Sequence, residues 1–190
     1  MARAVRVEHD RLELKPTGSF RFAVVADTHS KPHPQAHQRL RELAPDAILH
    51  AGDIGELSLL DELAEVAPTL AVRGNIDTTA SGIPDVRVIE LMQGNTLKFR
   101  ILLVHIAVYN GVQLRAEVGR LARSERASLV VCGHSHVPFI GKDRGLSVFN
   151  PGSIGPKRFQ LPIVLGAIDV TEASASLRHI DCESGATWLP

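Results

Sequence analysis

The chain has 190 residues, a length that suits one domain, and its 44% apolar and 22% charged residues are those of a globular fold rather than a disordered chain. Lysine plus arginine and aspartate plus glutamate number 21 each, and aromatics make up 4%, so the basic excess of a strong nucleic-acid binder and the rings of a base-stacking platform are both missing. No run approaches the roughly 18 to 20 apolar residues of a membrane helix, no apolar secretory core follows Met1, and Cys132 and Cys182 set no disulfide framework. A cytoplasmic setting without membrane contact is expected.

The first elements are read as a hairpin at about residues 1–16: Ala2 to Glu8, a turn at His9-Asp10, then Leu12 to Leu14, stopped by Pro16 and Gly18. Phe20 to Ala26 is a mostly apolar strand ending in Asp27. A helix opened near Pro34 places Ala36, Leu40 and Leu43 on one face. Ala47 to Ala51 is a second buried strand, ending in Gly52-Asp53. The next helix shows Leu60, Leu63, Ala64 and Ala67 on one side, and Thr69 to Val72 is a third strand, ending in Arg73-Gly74-Asn75. Near-continuous apolar strands alternating with helices are the pattern of a parallel sheet covered on both faces.

The second half holds a β pair, Val86 to Leu91 and Leu97 to Val104, joined through Gln93-Gly94-Asn95. A helix marked by Leu114, Val118 and Leu121 follows. Short strands come next at Leu129 to Cys132, Val137 to Ile140, Leu146 to Phe149, Ile163 to Val170 and Ser174 to Ile180, and their close spacing favours antiparallel pairing. The expected fold is α/β: a single domain over 1–190, with two mixed sheets packed face to face and helices on both outer sides. Exposed strand edges around the second sheet would suit a homodimer.

Ligands of open α/β sheets bind beyond the carboxyl ends of strands, and the polar residues fall there. The first three strands end in Asp27 and His29, in Asp53 and in Asn75; the later ones end in His105 and in Gly133-His134-Ser135-His136. Alternate residues of an extended chain point the same way, so both imidazoles of His134-x-His136 can face one site. Seven oxygen or imidazole groups on one rim are about what two cations need when one carboxylate bridges them. Each piece alone is common: a strand-end Asp more often caps a helix, and a lone His105 would more often be a core histidine. The five pieces together, each at a strand end, are not.

The series Asp27-Thr-His29, Gly52-Asp53, Gly74-Asn75-Ile-Asp77, His105, Gly133-His134-Ser-His136 and Asn150-Pro-Gly-Ser153 resembles the calcineurin-like metallophosphoesterase superfamily, and within it the short bacterial and archaeal phosphodiesterase branch. The match runs from about Phe20 to Val170. The resemblance implies a β-sandwich flanked by helices. It implies a dinuclear-metal phosphodiesterase acting on small phosphodiesters through a metal-bridging hydroxide. Asp27, His29, Asp53 and His136 would hold one ion, and Asp53, Asn75, His105 and His134 the other. Mixed imidazole and carboxylate ligation suits manganese, nickel, iron, cobalt or zinc without choosing among them; two divalent ions, manganese first, are expected. Asp53, Asn75 and Asp77 would form the catalytic group, with Asp77 either orienting a ligand or capping a turn. Asn75, Gly152, Ser153 and Arg158 would meet the substrate.

Other polar residues take plainer roles. His33 and His37 either line the mouth or lie in solvent, His50 reads as core, and Cys132 reads as a small buried apolar group. Two motifs depart from relatives: His105-Ile106-Ala107 stands where they often have His-Gly-His, and Ile76 stands where better-known monoesterases and protein phosphatases of the superfamily have histidine. The competing expectation is a catalytically weak, protein-binding scaffold of the same fold, as in the eukaryotic retromer complex.

Overall fold

A computed structural model describes residues 4–158 and 160–189. Its strands are β1 (Val7–Glu13), β2 (Ser19–Val25), β3 (Ala47–His50), β4 (Thr69–Ala71), β5 (Val86–Gln93), β6 (Thr96–Val104), β7 (Leu129–Val131), β8 (Phe139–Asp143), β9 (Leu146–Asn150), β10 (Val164–Thr171), β11 (Ala175–Asp181) and β12 (Thr187–Trp188). The helices among the described residues are α1 (Ala36–Leu43), α2 (Ser58–Ala64) and α3 (Ala116–Ser124). They form two six-stranded sheets, ordered β1-β5-β6-β7-β9-β8 and β12-β11-β10-β2-β3-β4. Both are mixed: β2, β3 and β4 run parallel while β10 and β11 are antiparallel, and β6, β7 and β9 run parallel beside the antiparallel β5–β6 and β8–β9 pairs.

The period-2 geometry of a strand explains the apolar runs. In β2, Phe22 and Val24 point into the core between the sheets, where they meet Ile89, Leu91, Ile101, Leu103, Val131 and Phe149. Ala23 and Val25 point the other way and pack under Ala36, Leu40 and Leu43 of α1 and Leu63 of α2. Leu102 of β6 likewise turns outward, to Val118 and Ala122 of α3. Both faces of each sheet centre are therefore covered, which is why these strands read as continuous apolar segments.

The expected N-terminal hairpin is not formed. Val7–Glu13 is one unbroken strand in parallel register with β5, from Val7 opposite Val86 to Glu13 opposite Met92. His9-Asp10 reads as a turn because both residues are polar, yet Asp10 sits mid-strand and accepts two hydrogen bonds from Arg87 Nη1, at 2.8 and 2.9 Å. An edge strand with alternating burial carries polar residues without a turn; Ala2 and Arg3 of the expected hairpin lie outside the described residues. In α2 the buried side is Leu59 and Leu63, and Ala64 is exposed. The strand from Leu129 onward also departs from antiparallel pairing, since β7 is parallel to both β6 and β9.

Within β6, Ile101 is 1% exposed in the inter-sheet core and Leu97 is 39% exposed. Ile101→Ala is expected to lower unfolding free energy by about 2–5 kcal/mol, and Leu97→Ala to change it by about 0.5 kcal/mol or less. Urea denaturation of the two variants measures the difference.

Candidate metal centre

β2, β3, β4, β6 and β7 deliver the seven expected ligands to one rim. Asp27, His29 and His136 form one group and Asp53, His105 and His134 another, with ligand-type atoms within 4.8 Å of one another in each. Asn75 Oδ1 joins the second group, 3.1 Å from His105 Nε2. Asp53 faces both: its Oδ1 lies 3.3 Å from His105 Nε2 and its Oδ2 lies 3.8 Å from His29 Nε2.

The backbone at this rim is unusual. Asp27, His29, Asp53, His134 and His136 all have positive φ, from 46° to 69°. Such left-handed residues are uncommon outside glycine and cost about 1–3 kcal/mol each, so they persist only where their surroundings hold them. Asp27, His29 and Asp53 are held by backbone hydrogen bonds between their two loops: Asp27 N–H donates to Gly52 O, His29 N–H to Asp53 O and Ser30 N–H to Ile54 O, at 2.9, 3.1 and 2.9 Å, while His134 N–H donates to Asp27 Oδ2 at 3.0 Å. Glycine is required where these loops touch others. A Cβ on Gly74 would lie 2.1 Å from both Asp53 N and Asp53 Oδ1, and one on Gly133 would lie 2.9 Å from Asp27 Oδ2.

Buried supports fix the ligands. His105 Nδ1–H donates to Ala51 O at 2.7 Å, leaving Nε2 as the lone pair that faces the site. Asp77, 3% exposed, accepts from the backbone N–H groups of Ile54, Gly55 and Gly74 at 2.7–3.1 Å. Its carboxylate is spent on those donors, so Asp77 ties the Asp53 loop to the Gly74-Asn75 loop and does not face the two ligand groups. Asn150 donates to Gly133 O at 2.7 Å and to Ser135 Oγ at 3.2 Å, and accepts from Gly152 N–H at 2.9 Å. Ser153 Oγ donates to Asp27 O at 3.0 Å and accepts from Gly155 N–H at 3.1 Å. Gly152 and Ser153, expected at the substrate, are buried; Ser153 braces the Asp27 carbonyl and also lines a small pocket with His136 and Arg158. Asn75 and Arg158 are the exposed members of that expected set, and Arg158 Nη2 lies 3.2 Å from His29 Nε2.

The electrostatics match a cation site. Burial, followed by the neighbouring Asp53 carboxylate, pushes the Asp27 carboxyl up to about 8. Asp27 Oδ1 is buried and has no hydrogen-bond partner, though His136 Nε2 is 3.4 Å away. Burial also lowers His29, His105 and His136, the last to about 4 with Arg158 and His29 adding to the effect. Neutral imidazoles are the form that binds metal. His29 Nε2 and His136 Nε2 are separated by 3.4 Å, close enough for both to reach one ion at about 2.1 Å. An orphaned buried carboxylate oxygen beside two such nitrogens fits a divalent ion.

The remaining expectations sort simply. His50 is fully buried, burial lowering it to about 4, and Cys132 is a buried thiol pushed up to about 12. His33 Nδ1 accepts from Gln35 N–H just before α1, and His37 Nε2 is buried without a hydrogen bond, 3.7 Å from Glu62. Ala107 is buried beneath α3, and Ile106 lines an apolar cleft with Val104 and Leu121, so the residues replacing Gly-His pack outward from the site. Thr28, between two ligands, escaped notice in the sequence; its position was the available signal.

Residues 20–173 match the model of the calcineurin-like phosphoesterase superfamily domain, and the chain belongs to that family. It is 34% identical over 155 residues to a probable metallophosphoesterase of Methanothermobacter thermautotrophicus, covering 76% of this chain and 83% of that one. Two solved structures share the fold. An archaeal phosphodiesterase aligns with TM-score 0.62 at 18% identity, over 85% of this chain and 99% of its own. Vps29 of Entamoeba histolytica, complexed with zinc, aligns with TM-score 0.68 at 20% identity, over 88% and 96%. Among the described residues no helix is long and apolar enough to cross a membrane.

Because the Gly74 Cβ would overlap the Asp53 backbone, Gly74→Ala is expected to destabilise the fold by about 1–3 kcal/mol. Gly82→Ala, where a Cβ meets nothing within 4 Å, is expected to be neutral or stabilising by up to about 1 kcal/mol. Chemical denaturation of both variants provides the check.

Proposed function

We propose that the protein is a phosphodiesterase with a dinuclear centre that hydrolyses small phosphodiesters. Asp27, His29, His136 and Asp53 would hold one divalent ion, and Asp53, Asn75, His105 and His134 the other, with manganese the preferred metal. The observation that carries this reading is Asp53, whose two oxygens face two separate ligand groups while Asp27 Oδ1 is left unpartnered. When bound, such a pair of ions supplies an activated water and neutralises phosphoryl oxygens.

The chain's own residues divide the rest of the work. The ligand side chains carry only the two charges of Asp27 and Asp53, so two divalent ions leave a positive surplus for a phosphate anion. An aspartate in place of Asn75 would cancel part of it. Arg158 adds a fixed cation at the edge of the first group and is suited to a non-bridging phosphate oxygen. Ile76 N–H donates to Asp53 Oδ1 at 3.2 Å and the side chain is 46% exposed, so an apolar group stands at the rim. Isoleucine offers no proton to a leaving oxygen. Asp77 offers none either, since its carboxylate already accepts from backbone. A diester, carrying one negative charge, suits such a site better than a monoester.

All seven expected ligand residues are present and meet at one rim, which favours the enzyme over the scaffold. Protein loaded with Mn²⁺ is expected to carry two ions per chain and to lose hydrolysis of bis-aryl phosphodiesters on chelation. At most one ion, with activity indifferent to chelator, contradicts the proposal. Asp53→Ala is expected to lose both ions, whereas Asp77→Ala loses about 10- to 100-fold in affinity; metal analysis after dialysis separates them.

General-acid assistance is worth roughly 10²- to 10⁴-fold. The rate is therefore expected to depend steeply on leaving-group acidity, with aryl diesters fast and alkyl phosphomonoesters slow. Ile76→His is expected to raise the rate on alkyl monoesters more than on aryl diesters. A wild type that cleaves both equally fast would show that another residue supplies the proton.

A further inference from the structure

We propose that Thr28 and His50 act as a buried positioning pair that sets the spacing of the Asp27–His29 loop against the Gly52–Asp53 loop, and through it the affinity of the site for its ions. The inference rests on the metal-centre reading above and assigns a role to two residues that ligate nothing. Thr28 is 1% exposed and His50 is 0% exposed, beneath the rim. Thr28 Oγ1 donates to Ile54 O at 2.9 Å and lies 2.9 Å from His50 Nε2. His50 Nδ1 accepts from Gly52 N–H at 3.1 Å.

One tautomer satisfies all three contacts. With Nδ1 accepting from Gly52, the proton is on Nε2, and Nε2–H donates to the Thr28 hydroxyl, whose own hydrogen goes to Ile54 O. The neutral ring and the hydroxyl thus form a directed chain from Gly52, on one side of Asp53, to Ile54 on the other. Its middle member lies between the ligands Asp27 and His29. These three ligands all have left-handed backbone, which holds only when the neighbouring structure over-determines it. Removing the hydroxyl would leave the buried His50 Nε2–H without a partner and Ile54 O with the Ser30 N–H alone, and the loops would relax to recover what is lost.

The test is calorimetric titration of the full chain with Mn²⁺, beside thermal melts without metal. Thr28→Val, close in shape, is expected to fold and to bind Mn²⁺ about 10- to 100-fold more weakly, the usual loss for a group that orients ligands. Thr28→Ser keeps the hydroxyl and is expected to restore most of the affinity. His50→Asn keeps an acceptor near the Nδ1 position but cannot reach Thr28, and is expected to resemble Thr28→Val. Wild-type affinity in both Thr28→Val and His50→Asn would overturn the inference. So would a Thr28→Ser as weak as Thr28→Val, which would assign the effect to the lost methyl. A wild type that takes up no Mn²⁺ would remove the metal-centre reading and this inference with it.

Discussion

The arrangement depends on the pairing of two short loops, 27–30 and 52–54, at the carboxyl ends of the adjacent parallel strands β2 and β3. Three backbone hydrogen bonds run between them, and Asp27, His29 and Asp53 are left-handed along the way. This conformation turns a strand's alternating side chains into a convergent set, at a cost of about 1–3 kcal/mol per strained residue. Other elements offset that cost. Asp77 gathers N–H groups from two loops, and Asn150 and Ser153 brace the Gly133-His134 turn and the Asp27 carbonyl. The double-sided packing of the sheets fixes where all these loops begin.

That packing was readable from residue type. Phe22, Val24, Ile101 and Leu103 alternate with outward Ala23, Val25 and Leu102, and such runs announce buried strands before any pairing is known. That the seven expected ligand residues would converge on one rim was readable for a similar reason, since polar residues that end apolar strands stand out. The direction of β1 was not. Its partner β5 lies far along the chain, and a parallel edge strand carrying His9-Asp10 looks like a turn until Arg87 is placed opposite Asp10. The braces were equally hidden. Asp77 and Ser153 sit in motifs beside the expected ligands, and residue type alone does not show that their oxygens are bonded to the backbone beneath. Left-handed φ at aspartate and histidine also leaves no mark in a sequence, unlike the glycine that would normally announce it.

Charge ties the site to its chemistry. A buried carboxylate with an unpartnered oxygen and imidazoles held neutral by burial form an arrangement that lacks its countercharge. Divalent ions would supply it, and under the proposed function the same ions would make the rim attractive to phosphate in a chain whose net charge is zero. In the proposed function, local rather than global charge does the recognition. The apolar Ile76 and the cationic Arg158 give the two flanks of the rim opposite characters.

The central claim is that Asp53 joins two ions into one centre. Electron paramagnetic resonance of the Mn²⁺-loaded protein tests it most directly, because two ions sharing a carboxylate couple magnetically. An exchange-coupled spectrum that vanishes in Asp53→Ala but survives in Asp77→Ala is the predicted result. A spectrum of isolated Mn²⁺ in the wild type at full occupancy would contradict the bridge.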